Sequence, residues 1–436
     1  MLRLNVLAAL TGAAVACLAW LFLQMIDGVQ WLFYRDGGFL EHNYGVWILL
    51  VPAAGGLATG LIIKYYAAEA RGHGVPVVME AVAVNRARLG TRVALAKGVA
   101  AAICIGTGFS LGRIGPLILM ASTFGSEVGQ RMGMSVEGTR TMVGCGAAAA
   151  LTTAFNAPLA GIVFAIEELS GSFEQRTSGT LILAIILSGV VVLAIAGHYS
   201  FFGHPQGALD ITQDWLAIGV TGLVCGLLGG AFSRLLITGS RFLAPYGRKH
   251  PYRVVLLCAL VLVLLGLVTG GMTYGSGYEQ ARHLLSGDAD GDWSFPLAKM
   301  AATLVSYFTG IPGGLFSPSL AAGAGVGNVI GGLFPDSSVV GVTLVAMAAF
   351  LAGVIQRPIT SFVIVMELTG NRHDILLPLM AGAFVAAAVA KLVWVRPLYD
   401  SLAERLQEGE GMALDRARVV STESGPADER GRGGGQ

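Results

Sequence analysis

Three short segments set glycine and proline just ahead of apolar runs: Gly72-His73-Gly74-Val75-Pro76, Gly112-Arg113-Ile114-Gly115-Pro116, and Gly313-Gly314-Leu315-Phe316-Ser317-Pro318. Proline suits the first turn of a helix, where its missing N–H costs nothing. Glycine lets the preceding backbone turn and come close to a ligand. A helix that starts this way presents unpaired N–H groups and a partial positive charge. That is an anion site without a formal cation. Three such ends converging in an apolar interior would replace an ion's water without trapping it as Lys or Arg would, and conduction needs that balance. Any one of them alone is an ordinary helix start. The weight lies in the three together, with long apolar runs and an internal repeat.

The elements that must position these segments are membrane helices. The chain has 436 residues, of which 54% are apolar and only 13% charged, against about 25% charged in an average soluble domain. A soluble protein could not cover its surface with so few charges. The formal net charge of +1 excludes a nucleic-acid binder working by bulk charge. The 62 glycines, roughly twice the average share, suit closely packed or broken helices. Runs free of Asp, Glu, Lys and Arg reach spanning length at Leu4–Ile26, His42–Ile63, Thr141–Ile166, Thr177–Leu209, Val254–Tyr278, Met300–Pro335 and Ser337–Gln356. Shorter ones, Gly98–Gly112 and Ile375–Ala390, suggest half-length or re-entrant pieces, tolerated where protein or a water-filled cavity satisfies the backbone. The first run is long enough to span and is not a convincing signal peptide. Five scattered cysteines form no C-x-x-C pair, so neither zinc nor a disulfide framework is indicated.

Loop charge sets the expected orientation. Lys64, Arg71, Arg86, Arg88, Arg92 and Lys97 make one segment basic, and Arg241, Arg248, Lys249 and Arg253 another. Asp27–Glu41, His204–Asp214 and Asp288–Asp292 are acidic or poor in Lys and Arg. The positive-inside rule puts the basic segments, the N-terminus and the tail from Arg396 in the cytoplasm. The tail, 396–436, is expected to be one short helix, Pro397 to about Leu406, followed by disorder.

Two halves share a pattern. Forty-two residues past Pro116 lies Pro158, followed by Glu167; forty past Pro318 lies Pro358, followed by Glu367, and proline to glutamate is nine residues in both copies. The alternative is two unrelated Pro-started helices with polar ends. Duplication implies halves at 1–205 and 206–395 within one membrane domain, with a substrate site where they meet.

The set of Gly72–Pro76, Gly112–Pro116, Phe155-Asn156-Ala157-Pro158-Leu159-Ala160-Gly161, Gly313–Pro318 and Pro397-Leu398-Tyr399 resembles the CLC family of chloride channels and chloride/proton antiporters, in order and approximate spacing over about 60–400. The resemblance implies an all-α integral membrane protein with an inverted-repeat fold of tilted and re-entrant helices. It implies a homodimer in the bilayer with one anion pathway per subunit. No cofactor, metal or catalytic residue is implied, and chloride is the bound and transported ion. The CBS domains found in many relatives are not expected here. By the same resemblance, the central anion position falls on His73, Leu315, Phe316 and Tyr399. The outer position falls on the backbone of Arg113, Ile114 and Gly115, with Ser317 close by. A phenol suits a dehydrated halide because it donates without carrying charge; the other reading of Tyr399 is an interfacial belt residue. Arg113 is expected to orient backbone and packing rather than to bind the anion itself.

Two departures matter. The family's gating, proton-carrying glutamate corresponds to Ile114, which can neither titrate nor compete for the anion site, so coupled exchange should fail. His73 stands where the family usually has serine. Protonated His73 would strengthen anion binding and make conductance pH-sensitive; alternatively its side chain points aside and only the Gly72–Gly74 backbone matters. Glu168 corresponds to the inner proton-transfer glutamate, here without a far end to its relay. It is expected to be vestigial, or a structural acceptor for an arginine or a helix end. Glu167 and Glu367, at matched positions, are expected to be structural. The function expected is passive conduction of chloride or a similar anion, with an antiporter using a substitute carboxylate as the alternative. An intramembrane enzyme is disfavoured because H-E-x-x-H and a Gly-Lys phosphate loop are both missing. The composition fits a bacterial inner membrane.

Overall fold

The structure is a computed structural model and describes residues 2–34, 47–67, 72–84, 86–170, 175–197, 200–287 and 292–406. The expected disorder after Leu406, residues 35–41 of the Asp27–Glu41 loop and 288–291 of the Asp288–Asp292 loop lie outside them, while 27–34 belongs to the first helix rather than to a loop.

The first half of the chain runs through α1 (Leu2–Tyr34), α2 (Trp47–Tyr65), α3 (Gly74–Ala83), α4 (Thr91–Gly106), α5 (Ile114–Arg131), α6 (Val136–Phe155), α7 (Pro158–Phe164) and α8 (Gln175–Ala196), with a π-helical turn at Ala165–Ser170 after α7. The second runs through α9 (Trp215–Lys249), α10 (Pro251–Val268), α11 (Tyr278–Leu285), α12 (Ser294–Phe308), α13 (Phe316–Leu333), α14 (Val339–Ile355), α15 (Pro358–Leu368) and α16 (Leu376–Val393). A last short helix covers 398–406, in agreement with the expectation there. Among the described residues the only sheet-like pairing is one isolated bridge, between Gly112 and Gly314. The fold is the expected all-α membrane type.

Among the described residues, five helices are long and apolar enough to cross a membrane, in α1, α8, α9, α10 and the stretch His373–Val393. Several charge-free runs are not single spans. Thr141–Ile166 breaks between α6 and α7, and Met300–Pro335 breaks between α12 and α13. Thr177–Leu209 leaves the helix at Gly197, whose φ of 74° ends α8. Lack of charge sets solubility in lipid, whereas glycine and proline set where the backbone turns.

The two breaks behind the repeated Pro–Glu pattern are built alike. Ser135 and Ser338 cap α6 and α14, accepting from Gly138 N and Gly341 N. Those helices end in left-handed Asn156 (φ 53°) and Gln356 (φ 57°), and Pro158 and Pro358 start α7 and α15. A left-handed residue stops the ladder and the proline two positions on restarts it in a new direction.

Small residues let the central helices touch along their backbones. A Cβ at Gly146 of α6 would lie 2.3 Å from the Ala121 carbonyl of α5, and one at Gly327 of α13 would lie 2.5 Å from Thr343 Cα of α14. α13 is buried from Phe316 to Gly331 and α14 from Gly341 to Ile355. The start of α13 is therefore held deep inside the molecule.

Candidate functional site

The three Gly–Pro segments come together. Gly112 and Gly314 exchange both backbone hydrogen bonds, Gly112 N to Gly314 O at 2.7 Å and Gly314 N to Gly112 O at 2.6 Å. The loops ahead of α5 and α13 are thereby stitched head to head. The loop ahead of α3 joins them through Gly72 N, which donates to Gly310 O at 3.1 Å. The contact is close enough to require glycine twice. A Cβ at Gly74 would sit 2.0 Å from the Gly115 carbonyl oxygen, and one at Gly115 would sit 2.8 Å from His73 Cε1 and 3.2 Å from the Gly313 carbonyl. The first residues of α3, α5 and α13 thus meet at one buried spot.

Around that spot lie His73 (3% exposed), Ile114, Leu315, Phe316 and Tyr399 (each 0%), and Ser317 (6%). The Tyr399 ring stacks on Phe316 with centroids 5.9 Å apart. Its hydroxyl is 3.3 Å from His73 Nε2 and the two rings lie 4.8 Å apart. Tyr399 is therefore an interior residue rather than an interfacial one. Ser317 Oγ is buried with no hydrogen-bond partner among the described residues.

His73 fits neither sequence expectation for its side chain. It neither points aside nor offers a free imidazole, because it caps α3, with Nδ1 accepting from Val75 N at 3.2 Å. An Nδ1 that accepts carries no proton, so the hydrogen bonds assign the neutral ring with its proton on Nε2. Nε2–H then donates to the Tyr399 oxygen and leaves the phenolic hydrogen free to point elsewhere. Protonating Nδ1 would break the cap.

Arg113 points away from the converging termini. Its guanidinium lies 5.0 Å from the Phe201 ring centroid. It lines a cavity of about 550 Å³ together with Asp27, Trp31, Tyr274 and Ser276. A second cavity of about 560 Å³ reaches Gly72 and is lined by Arg241, Tyr252, Tyr307 and Arg405. Pro251 and Tyr252 at the start of α10 line the second cavity, and Tyr274, just past its end, lines the first. Eighteen helical residues span about 27 Å, so the cavities open towards opposite ends of α10. They approach the spot from two sides, at the residues next to His73 and Ile114. Buried Ile114, Phe316 and Tyr399 line neither cavity.

The acidic residues are tied into the frame. Glu167 accepts from Ile359 N (3.3 Å) and Thr360 N (2.6 Å) at the start of α15. Glu367 accepts from Leu159 N (3.0 Å) and Ala160 N (2.7 Å) at the start of α7. Each half thus caps a helix of the other with a carboxylate, where the dipole favours negative charge. Glu168 pairs with Arg357 Nε at 3.0 Å, and Arg357 also reaches Asp400 at 3.1 Å. Asp400 adjoins Tyr399, so this network ties the last short helix to the start of α15.

The sequence reading missed Arg357, Asp400 and the buried lysines. Lys97 was counted with a basic loop. It lies instead within α4, 0% exposed, and its ammonium donates to the His73 carbonyl at 3.3 Å. The signal was there: Lys97 is followed directly by a charge-free run, and a cation inside an apolar helix marks a structural or functional contact.

Comparison with known proteins gives the family and the fold. The model of the voltage gated chloride channel family matches residues 55–391. The chain is 30% identical over 419 residues to a putative chloride channel protein ClcB-like of Ralstonia nicotianae, covering 90% of this chain and 95% of that one. It is 29% identical to the voltage-gated ClC-type chloride channel ClcB of Yersinia pestis, covering 91% and 99%. In fold it is similar to a slow cyanobacterial Cl⁻/H⁺ antiporter, with TM-score 0.79, 22% identity and coverage of 93% and 98%. It is also similar to a CLC-type fluoride/proton antiporter, with TM-score 0.76, 22% identity and coverage of 91% and 97%. The chain belongs to the voltage-gated chloride channel (CLC) family of membrane channels and antiporters.

Proposed function

We propose that this protein conducts chloride or a similar small monovalent anion passively, through the point where the N-termini of α3, α5 and α13 meet. The observation that carries the reading is Ile114. It is the first residue of α5, 0% exposed, beside the converged backbone. A carboxylate there would be a titratable competitor for the anion; an isoleucine can neither bind a proton nor occupy an anion's place. Neutral donors do the binding: backbone N–H groups at the three helix starts, the phenolic hydrogen of Tyr399, and the Ser317 hydroxyl, which has no partner among the described residues. The central position is assigned to His73, Leu315, Phe316 and Tyr399, the outer one to Arg113, Ile114, Gly115 and Ser317. Neutral dipoles in a low-dielectric site hold a halide without the deep well a formal cation would create.

Glu168 is engaged by Arg357, which supports a structural role over a proton relay. The names of the Ralstonia and Yersinia relatives support a channel. The homodimer belongs to the same proposal, one pathway per subunit, since a single chain carries all three helix starts. So does the inner-membrane orientation with cytoplasmic termini.

The test is reversal potential in a planar bilayer or in liposomes. A passive conductor's potential follows the chloride gradient alone. A potential that also moves with an imposed proton gradient would establish the antiporter with a substitute carboxylate instead. Chloride, bromide, nitrate and fluoride compared in the same assay give the selectivity.

A further inference from the structure

Two lysines are buried in the apolar interior at the same place in each half. Lys97 stands fifteen residues ahead of bridge glycine Gly112, and Lys299 stands fifteen ahead of bridge glycine Gly314. Both are 0% exposed, on α4 and α12. Each ammonium is directed at backbone carbonyls of the loop that leads into a short helix. Lys97 Nζ donates to His73 O at 3.3 Å, just ahead of α3. Lys299 Nζ donates to Thr273 O at 3.0 Å and Gly275 O at 2.8 Å, with Tyr274 O at 3.5 Å, just ahead of α11. A buried cation is costly in a membrane, and this cost is met twice at equivalent positions for the same kind of contact.

In a trans peptide the C=O of one residue and the N–H of the next point in opposite directions. An ammonium that holds a carbonyl therefore aims the following N–H the other way. At Lys299 the result is visible: Tyr274 O faces the ammonium, and Gly275 N–H points away to Gly108 O at 3.1 Å. That bond anchors the turn leading through Ser110, itself tied to Ser306 and Thr303 of α12, to Gly112. At Lys97 the held carbonyl is that of His73 and the N–H turned away is that of Gly74, the first residue of α3.

We propose that Lys97 and Lys299 are paired positioning residues, which turn backbone carbonyls out of the anion path: at Lys97 so that the Gly74 N–H faces it, at Lys299 so that the Gly275 N–H anchors the loop ahead of α5. The inference rests on the passive-anion reading. A carbonyl released from its lysine can rotate towards the anion and present negative charge, and peptide dipoles serve an anion only when oriented. Lys97 would act at the central position. Lys299 would act at the outer one, through the Gly275–Gly108 bond that anchors the turn leading to Gly112 and the start of α5.

The test compares the full-length wild type with Lys97→Met, Lys299→Met, Lys97→Arg and Lys299→Arg. Chloride binding is measured by calorimetry in detergent, and flux against chloride concentration in liposomes. The methionine variants should weaken chloride binding about tenfold each, the scale of a lost charge-assisted hydrogen bond. They should raise the half-saturating concentration more than they lower maximal flux, and arginine should restore most of the affinity. Methionine variants that match the wild type in both assays overturn the proposal. If they fail to fold, Lys97→Gln and Lys299→Gln decide, because a neutral amide can still hold a carbonyl. Affinity kept within about threefold supports orientation, and affinity lost as fully as charge removal predicts overturns it. A wild type that binds no chloride and conducts none defeats the anion reading itself, a result distinct from failure at the lysines.

Discussion

The loops opening α5 and α13 share a backbone and differ in every side chain between the flanking glycine and proline. Gly112 and Gly314 pair in one bridge, and Pro116 and Pro318 stand in the first turns of the two helices at the same distance beyond it. Between them stand Arg113, Ile114 and Gly115 on one side, and Leu315, Phe316 and Ser317 on the other. The common part makes the helix ends converge. The differing part decides what fills the converged space. Gly115 has no room for a Cβ because His73 lies against it, whereas Ser317 brings a hydroxyl with no partner among the described residues. Phe316 supports Tyr399 by stacking, and Ile114 supports nothing that titrates. The duplicated backbone supplies the dipoles, and the unequal side chains set what they hold and whether a proton accompanies it.

The backbone side of that comparison breaks most sharply at Gly74. Gly74→Ala would drive a Cβ to within 2.0 Å of a backbone oxygen, which no rotamer change relieves. The expected outcome is a loss of about 3 kcal/mol or failure to fold, read as a drop in the thermal midpoint, with flux abolished in any protein recovered. Gly72→Ala, with nothing near its Cβ but a φ of 76°, should cost less, about 1 kcal/mol; the reverse order would mean that α3 and α5 do not touch at Gly74.

The frame beneath the comparison depends on Arg357. Arg357→Met leaves Glu168 buried opposite no cation and frees Asp400 from the start of α15. The expected destabilisation is about 3 kcal/mol, largely recovered in the double variant with Glu168→Gln. Thermal melts of the single and double variants check it, and absence of recovery would show that the Glu168 charge is not what Arg357 neutralises.

The side-chain side is sharpened by Ile114→Glu, which restores a titratable competitor at the first residue of α5. Flux at neutral pH should fall about tenfold and rise as the pH is lowered and the carboxylate is neutralised. Flux unchanged from pH 5 to pH 8 would show that Ile114 does not line the path.

The smallest effect is expected at His73. Because Nδ1 is committed to the α3 cap, wild type and His73→Ser should share a flat flux profile between pH 5 and pH 8. Serine should preserve the cap, whereas His73→Ala should cost about 1 kcal/mol. A wild-type flux that climbs at low pH and is flat in His73→Ser would restore the protonation idea.

Much of the positioning was legible in the residues. The Gly–Pro segments announced helix starts, and the charge-free runs announced lipid. The matched Pro158–Glu167 and Pro358–Glu367 spacings announced two breaks of the same kind, which the structure builds from left-handed Asn156 and Gln356. What those glutamates bond was not legible. Glu167 caps α15 and Glu367 caps α7, contacts between residues about two hundred positions apart that no local pattern encodes. Lys97 was mistaken for a loop cation because Arg86 and Arg88 belong to a basic connection and Arg92 stands at the very start of α4. Only helix α4, continuing past them into the interior, carries Lys97 to the His73 carbonyl.

The sequence by itself determined that the chain enters lipid, where its helices start and break, and that no carboxylate stands at position 114. These follow from hydropathy, from backbone sterics and from the identity of one side chain, all local properties. Tertiary structure alone decided that three helix starts meet at one buried spot. It decided too that His73 spends Nδ1 on a cap and Nε2 on Tyr399, and that Glu168 faces Arg357. Those outcomes depend on distances between segments up to 326 positions apart, fixed by the Gly112–Gly314 bridge and by glycines too closely packed to accept a methyl group.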